Sequence, residues 1–108
     1  SAPAPPAARV ASNARDTWQG RVLGHLEKHR RYPGNARSRG VQGTAYIRFR
    51  MNRGGQMLWA VVQRSSGSSI LDEAALDTIR RAQPLPPIPP ELPDEVELAA
   101  PVEFYLSR

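Results

Sequence analysis

The sequence predicts an α+β domain: a three-stranded antiparallel sheet with two helices on one face, in α-β-β-α-β order. Three observations carry that expectation. Trp18, Val22, Leu26 and His29 form an apolar stripe at helical spacing, and a strictly alternating run from Val41 to Met51 follows it. A glycine turn directly after that run obliges the next strand to pair with it. A second helical stripe and a second alternating run, parted by a proline-rich segment, complete the order.

The chain has 108 residues, enough for one domain of ordinary size. Ser1 to Ser12 is rich in Ala and Pro without apolar periodicity, so residues 1–12 are expected to be the remnant of an extended spacer and residues 13–108 the folded domain. The first helix is expected from Asn13, an N-cap with Asp16 three residues on, and carries Leu23 at the margin of its stripe. Pro33 pushes Tyr32 out of helical geometry, so this helix stops near Arg31 and Gly34 to Arg39 forms at most a short turn.

In the first strand Gly43, Ala45, Ile47, Phe49 and Met51 alternate with Thr44, Tyr46, Arg48 and Arg50, which marks a half-buried antiparallel strand. Asn52-Arg53-Gly54-Gly55 is a hairpin turn in which the glycines supply positive φ. The second strand runs from Gln56 to Arg64. Met57, Ala60 and Val62 can all point inward only if a bulge near Leu58–Trp59 shifts the phase.

The serine run Ser65–Ser69 ends that strand and caps the next helix, with Ser69 and Asp72 at capping-box spacing. That helix turns Leu71, Ala75, Ile79 and Ala82 inward with Ala74 beside them. Its last turn holds Arg80 and Arg81, where cations are favoured. Pro84 to Pro93 has six prolines in ten residues and can only wrap as a stiff extended segment. The final strand turns Leu98, Ala100, Val102, Phe104 and Leu106 inward and Glu97, Glu103 and Tyr105 outward.

Composition narrows the function. With no Cys, there is no disulfide framework and no Cys-based zinc or redox site. Residues 1–64 carry 12 basic and 2 acidic side chains, whereas residues 65–108 carry 3 and 8. The arginines are scattered rather than gathered on one element, which argues against a nucleic-acid partner. His25 and His29 stand one helical turn apart, but a metalloprotease pattern needs Glu after the first His, and Leu26 is there. They read instead as packing residues, His29 under the sheet edge and His25 an exposed neighbour, with no metal and no cofactor expected. The serines lack a nucleophile elbow or a base, and no glycine loop has a phosphate-binding pattern. Nothing in this inventory makes an enzyme. What remains is the edge of the sheet supplied by the last strand. Pro101, Glu97 and Glu103 either blunt that edge, or the part beyond Pro101 serves as a rail for an incoming peptide.

At this point the order of motifs resembles a known family. Tyr32-Pro33 after a helix with Trp18, Gly43 opening a strand, Gly55 at the turn, Ser65-Ser66-Gly67, Leu71-Asp72-Glu73-Ala74-Ala75, Pro84-Leu85-Pro86-Pro87 and Pro101-Val102-Glu103-Phe104 occur in register. The run from Thr17 onward is similar to the C-terminal domain of TonB, the energy transducer of Gram-negative bacteria, and the Ala/Pro start looks like the tail of its periplasmic spacer.

The resemblance implies a periplasmic domain of an inner-membrane-anchored protein, driven through ExbB and ExbD by a preceding region. Such a domain grips the Ton box of outer-membrane receptors by strand addition, for uptake of siderophore–iron, haem or cobalamin. Carried over, it implies peptide contacts from His29, Arg30, Arg31, Tyr32 and Pro33, and from Val102, Glu103, Phe104, Tyr105 and Leu106. Exposed sheet edges also permit strand exchange, so a monomer or a weak strand-exchanged dimer is expected. A TolA-like module shares the layout, but the Tyr-Pro motif and the lack of Cys favour the TonB likeness over it; a stand-alone envelope- or peptidoglycan-binding domain, with the basic half as its attachment surface, is the other alternative.

Overall fold

A computed structural model describes the backbone over residues 6–106 and side chains over residues 13–106. The elements are α1 (Pro6–His29), α2 (Gly34–Ser38), β1 (Gly43–Asn52), β2 (Met57–Arg64), α3 (Ser69–Arg81) and β3 (Glu95–Phe104). The expected order stands, with α2 as the short turn after Pro33. Helix α1, however, begins at Pro6 rather than Asn13, so residues 6–12 are helical where extended chain was expected. The reason lies in the sequence: Pro6 suits the first helical position, and Ala7, Ala8 and Ala11 are strong helix formers. Residues 1–5 of the expected spacer lie outside the described residues.

The sheet order is β2-β1-β3, with β1 antiparallel to both neighbours. Ala45, Ile47, Phe49 and Met51 are fully buried on one face of β1. The β2 bulge falls where the phase requires it: Arg50 pairs with Trp59 but Met51 with Met57, leaving Leu58 unpaired. Met57, Ala60 and Val62 thereby come opposite the buried residues of β1.

Helix α3 covers β1 and β2, while α1 covers β3 and packs on α3. Its N-cap is Ser68 rather than Ser69, and Ser68 Oγ accepts from Leu71 N–H. Asp72 reaches back past the cap, accepting from Ser66 N–H (2.8 Å) and from the Ser65 and Ser66 hydroxyls. Burial raises the Asp72 pKa, but these hydrogen bonds outweigh it and hold the carboxyl below its ordinary value. Thr78, absent from the expected inward set, is fully buried because its hydroxyl donates back to Ala74 O (2.8 Å).

The proline-rich segment contributes Leu85, Ile88 and Leu92 to the core. Its prolines have no N–H groups, so its carbonyls must find donors elsewhere. Trp18 Nε1 donates to Pro86 O (2.8 Å). The Arg53 guanidinium donates to Ile88 O, Pro89 O and Leu92 O, and Arg53 Nε to Asp94 (2.9 Å). Read in sequence as one residue of a turn, Arg53 is the clamp on this segment. Of the two turn glycines only Gly55 has positive φ, at 90°.

At the other end of the sheet Phe104 is fully buried and Tyr32 meets it edge-on, with ring centroids 5.5 Å apart. Phe104→Ala is expected to cost about 3–5 kcal/mol and lower the melting temperature by more than about 10 °C. Thermal unfolding followed by circular dichroism checks this, and an unchanged midpoint would contradict the burial.

Candidate functional site

The candidate site is the outer edge of β3. That strand has β1 on one side and, among the described residues, no strand on the other. Which backbone groups face outward follows from alternation. Pro101 has no N–H, so inside a paired strand it occupies the parity that turns away from the neighbour. Leu106, of the opposite parity and just past the strand, donates its N–H to Gln42 Oε1 (2.9 Å), just before β1, in keeping with the same phase. Ala99, Pro101, Glu103 and Tyr105 therefore turn their backbone groups outward, while Ala100, Val102 and Phe104 turn theirs to β1. Pro101 supplies only a carbonyl, and the donors at Ala99 and Glu103 flank it.

Of the nominated residues on this strand, Val102 and Phe104 have side chains in the core and backbone bonded inward, so both hold the edge in place without facing it. Glu103 and Tyr105 are exposed, and Tyr105 Oη lies 3.0 Å from Thr44 Oγ1. Leu106 lies just past the strand, half-buried.

The Tyr-Pro corner comes to the same end of the sheet. Tyr32 bridges the two nominated groups, packing on Phe104 and donating from its hydroxyl to Val41 O. Pro33 borders a hollow that it shares with Ile70 and Ala74 of α3. His29 Nδ1 donates to His25 O (2.9 Å), and its carbonyl accepts from Arg81. His25, expected as an exposed neighbour, is half-buried, and its Nε2 donates to Ala82 O at the end of α3 (2.6 Å). The pair ties the two helix ends together. Among the described residues no three His, Cys, Asp or Glu side chains gather where they could hold a metal ion.

Electrostatically, two arginines of the basic half and two glutamates of the acidic half meet across the open face of the sheet. Glu97 pairs with Arg48 (2.7 Å) and Arg50 (3.3 Å), and Glu95 pairs with Arg50 (2.8 Å). The Arg48 hydrogen bond holds the Glu97 carboxyl below its ordinary range despite some desolvation. Arg30 is held by Glu27 (2.9 Å), whereas Arg31 is exposed and has no ion-pair partner among the described residues.

The sequence reading missed the helical wall beside the edge. Gln19, Val22 and Leu23 of α1 face Leu98, Ala99 and Ala100 of β3 across a cleft of about 80 Å³. The signal for it was Leu23, an apolar residue off the helix's main stripe, together with the small Ala100 in a row of larger inward residues.

Residues 28–106 match the family model described as Gram-negative bacterial TonB protein C-terminal. The chain belongs to the TonB C-terminal domain family. It is 43% identical over 110 residues to protein TonB of Pseudomonas putida, covering all of this chain and 45% of that protein. Over 83 residues it is 42% identical to protein TonB of Pasteurella multocida, covering 77% of this chain and 32% of that one. The chain thus spans less than half the length of these TonB relatives. Among solved structures, an NMR structure of the Helicobacter pylori TonB C-terminal domain superposes with a TM-score of 0.74 at 26% identity. That match covers 100% of this chain and 99% of the other. The C-terminal domain of HasB aligns with a TM-score of 0.55 at 34% identity, covering 82% and 70% of the two chains. None of the helices described is long and apolar enough to cross a membrane.

Proposed function

We propose that this TonB C-terminal domain works in the periplasm as the receptor-binding end of an inner-membrane-anchored energy transducer. It grips the Ton box of outer-membrane receptors as an added strand on β3, and the pull generated through ExbB and ExbD drives uptake of siderophore–iron, haem or cobalamin. The observation that carries this reading is the unpaired outer edge of β3, with donors at Ala99 and Glu103 turned outward. Family membership supplies the context.

The energetics suit a transient grip. An added strand of about five residues forms roughly four main-chain hydrogen bonds, each worth ~1 kcal/mol net. Ordering the peptide costs ~1–2 kcal/mol per residue. Side chains must supply the surplus, so micromolar affinity, about −8 kcal/mol, is a reasonable ceiling.

The test is a nitrogen-15 NMR titration with synthetic peptides copied from N-terminal segments of the same bacterium's outer-membrane receptors. The expected result is saturable shifts at the amides of Ala99, Glu103 and Tyr105 and at the His29–Tyr32 corner, larger than those at Val102 and Phe104. An absence of shifts with every peptide would remove the proposal.

Arg30 and Arg31 stand where acidic residues flanking the Ton box would approach. Arg31 has no ion pair among the described residues, and the exposed Arg30–Glu27 pair is weak enough to exchange. Arg30→Glu with Arg31→Glu should weaken binding about three- to tenfold at low ionic strength and less at high salt. Unchanged affinity at low salt would show that the corner makes no electrostatic contribution.

A further inference from the structure

The sheet has a second free edge, and it is the less guarded of the two. Strand β2 has β1 on one side and, among the described residues, no strand on the other. Tyr46 lies opposite Pro101, which turns its backbone away from β1, so Tyr46, Arg48 and Arg50 direct theirs to β2. Trp59 and Val61, opposite Arg50 and Arg48, bond back to β1, and Ala60 and Val62 turn their backbone groups outward. Met57 has the same outward phase past the bulge, and its N–H is taken by Gln83 Oε1 (2.8 Å), a side chain outside the sheet. Among the described residues no such cover reaches Ala60 or Val62. The side chains along this edge are apolar: Leu58, Trp59 and Val61 are 46%, 37% and 50% exposed. Neither a charge nor a proline falls between Gln56 and Arg64, whereas β3 carries Pro101 and Glu103. Edges of soluble sheets are normally blunted by such residues, so this one is built to be covered by a strand.

We propose that two copies of this chain associate through their β2 edges, antiparallel about a two-fold axis at Val61, with no element exchanged between them. The edge is its own complement. With the axis at Val61, Ala60 of each copy faces Val62 of the other, and both free donors of both copies are paired. Moving the axis to Ala60 sets Val62 against Leu58, the bulged residue. Moving it to Val62 sets Ala60 against Arg64, whose backbone faces β1. On the open face Val61 then meets Val61 across the axis, with each Trp59 on the diagonal to it, so apolar cross-strand pairs cover what a single copy exposes. Charge also selects a copy of this strand. A strand bearing acidic or basic residues would lose their hydration against Trp59 and Val61 with no counter-charge there. In the self-pair each Arg64 lies opposite Leu58, which keeps the two arginines about 20 Å apart, beyond the ~10 Å screening length at 0.1 M salt. The joined sheet has β3 at both rims, so each copy keeps that edge open. The inference stands apart from the strand-addition reading of β3.

The test is sedimentation equilibrium of the domain from about 10 µM to about 1 mM, with amide shifts followed over the same range. The expected result is a reversible monomer–dimer equilibrium in the upper part of that range. It should strengthen as salt rises, because both copies carry a net charge of +5. Dilution should move the amides of Ala60 and Val62 and leave those of Ala99 and Glu103 in place. Val61→Lys, at an exposed position, sets two like charges together on the axis and should weaken association at least about tenfold while the variant still folds. Glu103→Pro, on the opposite edge, should leave association unchanged. A domain that stays monomeric to about 1 mM would overturn the proposal. A dimer that withstands Val61→Lys, or one that Glu103→Pro weakens, would overturn it too and place the contact elsewhere. Should Val61→Lys fail to fold, the dilution shifts of the native domain decide: movement along β3 in place of β2 overturns the proposal, and movement at Ala60 and Val62 upholds it.

Discussion

Gly55→Ala should remove a large part of the stability of this domain, about 3–5 kcal/mol, while Gly54→Ala one residue earlier costs less than about 1 kcal/mol. Two effects combine at Gly55. Its φ of 90° is a conformation that an L side chain adopts at a cost of ~1–2 kcal/mol. A Cβ there would also overlap the Leu85 carbonyl oxygen and come within 2.9 Å of Leu85 N. The obstacle is backbone rather than a flexible side chain, and it cannot simply swing away. Leu85 N–H donates to Gly55 O (2.8 Å), and the Leu85 side chain is buried, so any shift breaks a hydrogen bond and opens the core together. At Gly54 a Cβ meets only Asn52 Oδ1 at 3.6 Å, and φ is not positive. Chemical denaturation of both variants provides the measurement. Similar midpoints for the two would mean that the proline-rich segment does not press on the turn. Against a typical total of ~5–15 kcal/mol, the loss expected at Gly55 leaves a domain that is partly unfolded at growth temperature.

Gly55 also shows where sequence reasoning stops. The turn was legible because Asn-Arg-Gly-Gly between two alternating runs admits few other structures. That Gly55 must be glycine for a second reason, the approach of Leu85 from thirty residues away, is a tertiary fact that no local pattern carries. Arg53 is the same case. Its guanidinium gathers three carbonyls from a segment whose own prolines cannot donate, yet the sequence shows only a basic residue in a turn. The helix boundary at Pro6 was missed for the opposite reason: composition rich in Ala and Pro fits both a spacer and a helix start.

The strand phases, by contrast, were readable almost residue by residue, including the Leu58 bulge, because period two with one buried face leaves little freedom. The candidate site falls between these extremes. Its elements were readable, but the wall formed by Gln19 and Leu23 needed the packing of α1 beside β3 to be seen. Part of the charge split between the halves, which looked like a property of the site, is a ladder of Arg48, Arg50, Glu95 and Glu97 across the sheet.

Glu103→Pro should abolish the grip on a receptor peptide while sparing the fold. Pro101 already tolerates a missing N–H on this strand, and Glu103 shares its parity, so its N–H faces the open edge rather than β1. The substitution removes that donor and puts a ring where an incoming strand must lie, so affinity should fall at least tenfold, about 1.4 kcal/mol. Glu103→Ala keeps the N–H and should bind nearly as the native domain does, which separates the backbone from the carboxylate. Val102→Pro, one residue away and of opposite parity, should instead break the β1 ladder next to Ala45 and unfold the domain. The three variants form one measurement: melting temperature and peptide affinity side by side. If Glu103→Pro melts as early as Val102→Pro, the phase of β3 is reversed. If it folds and still binds with native affinity, the peptide does not lie along this edge, and the free rim of β3 is only a guarded edge.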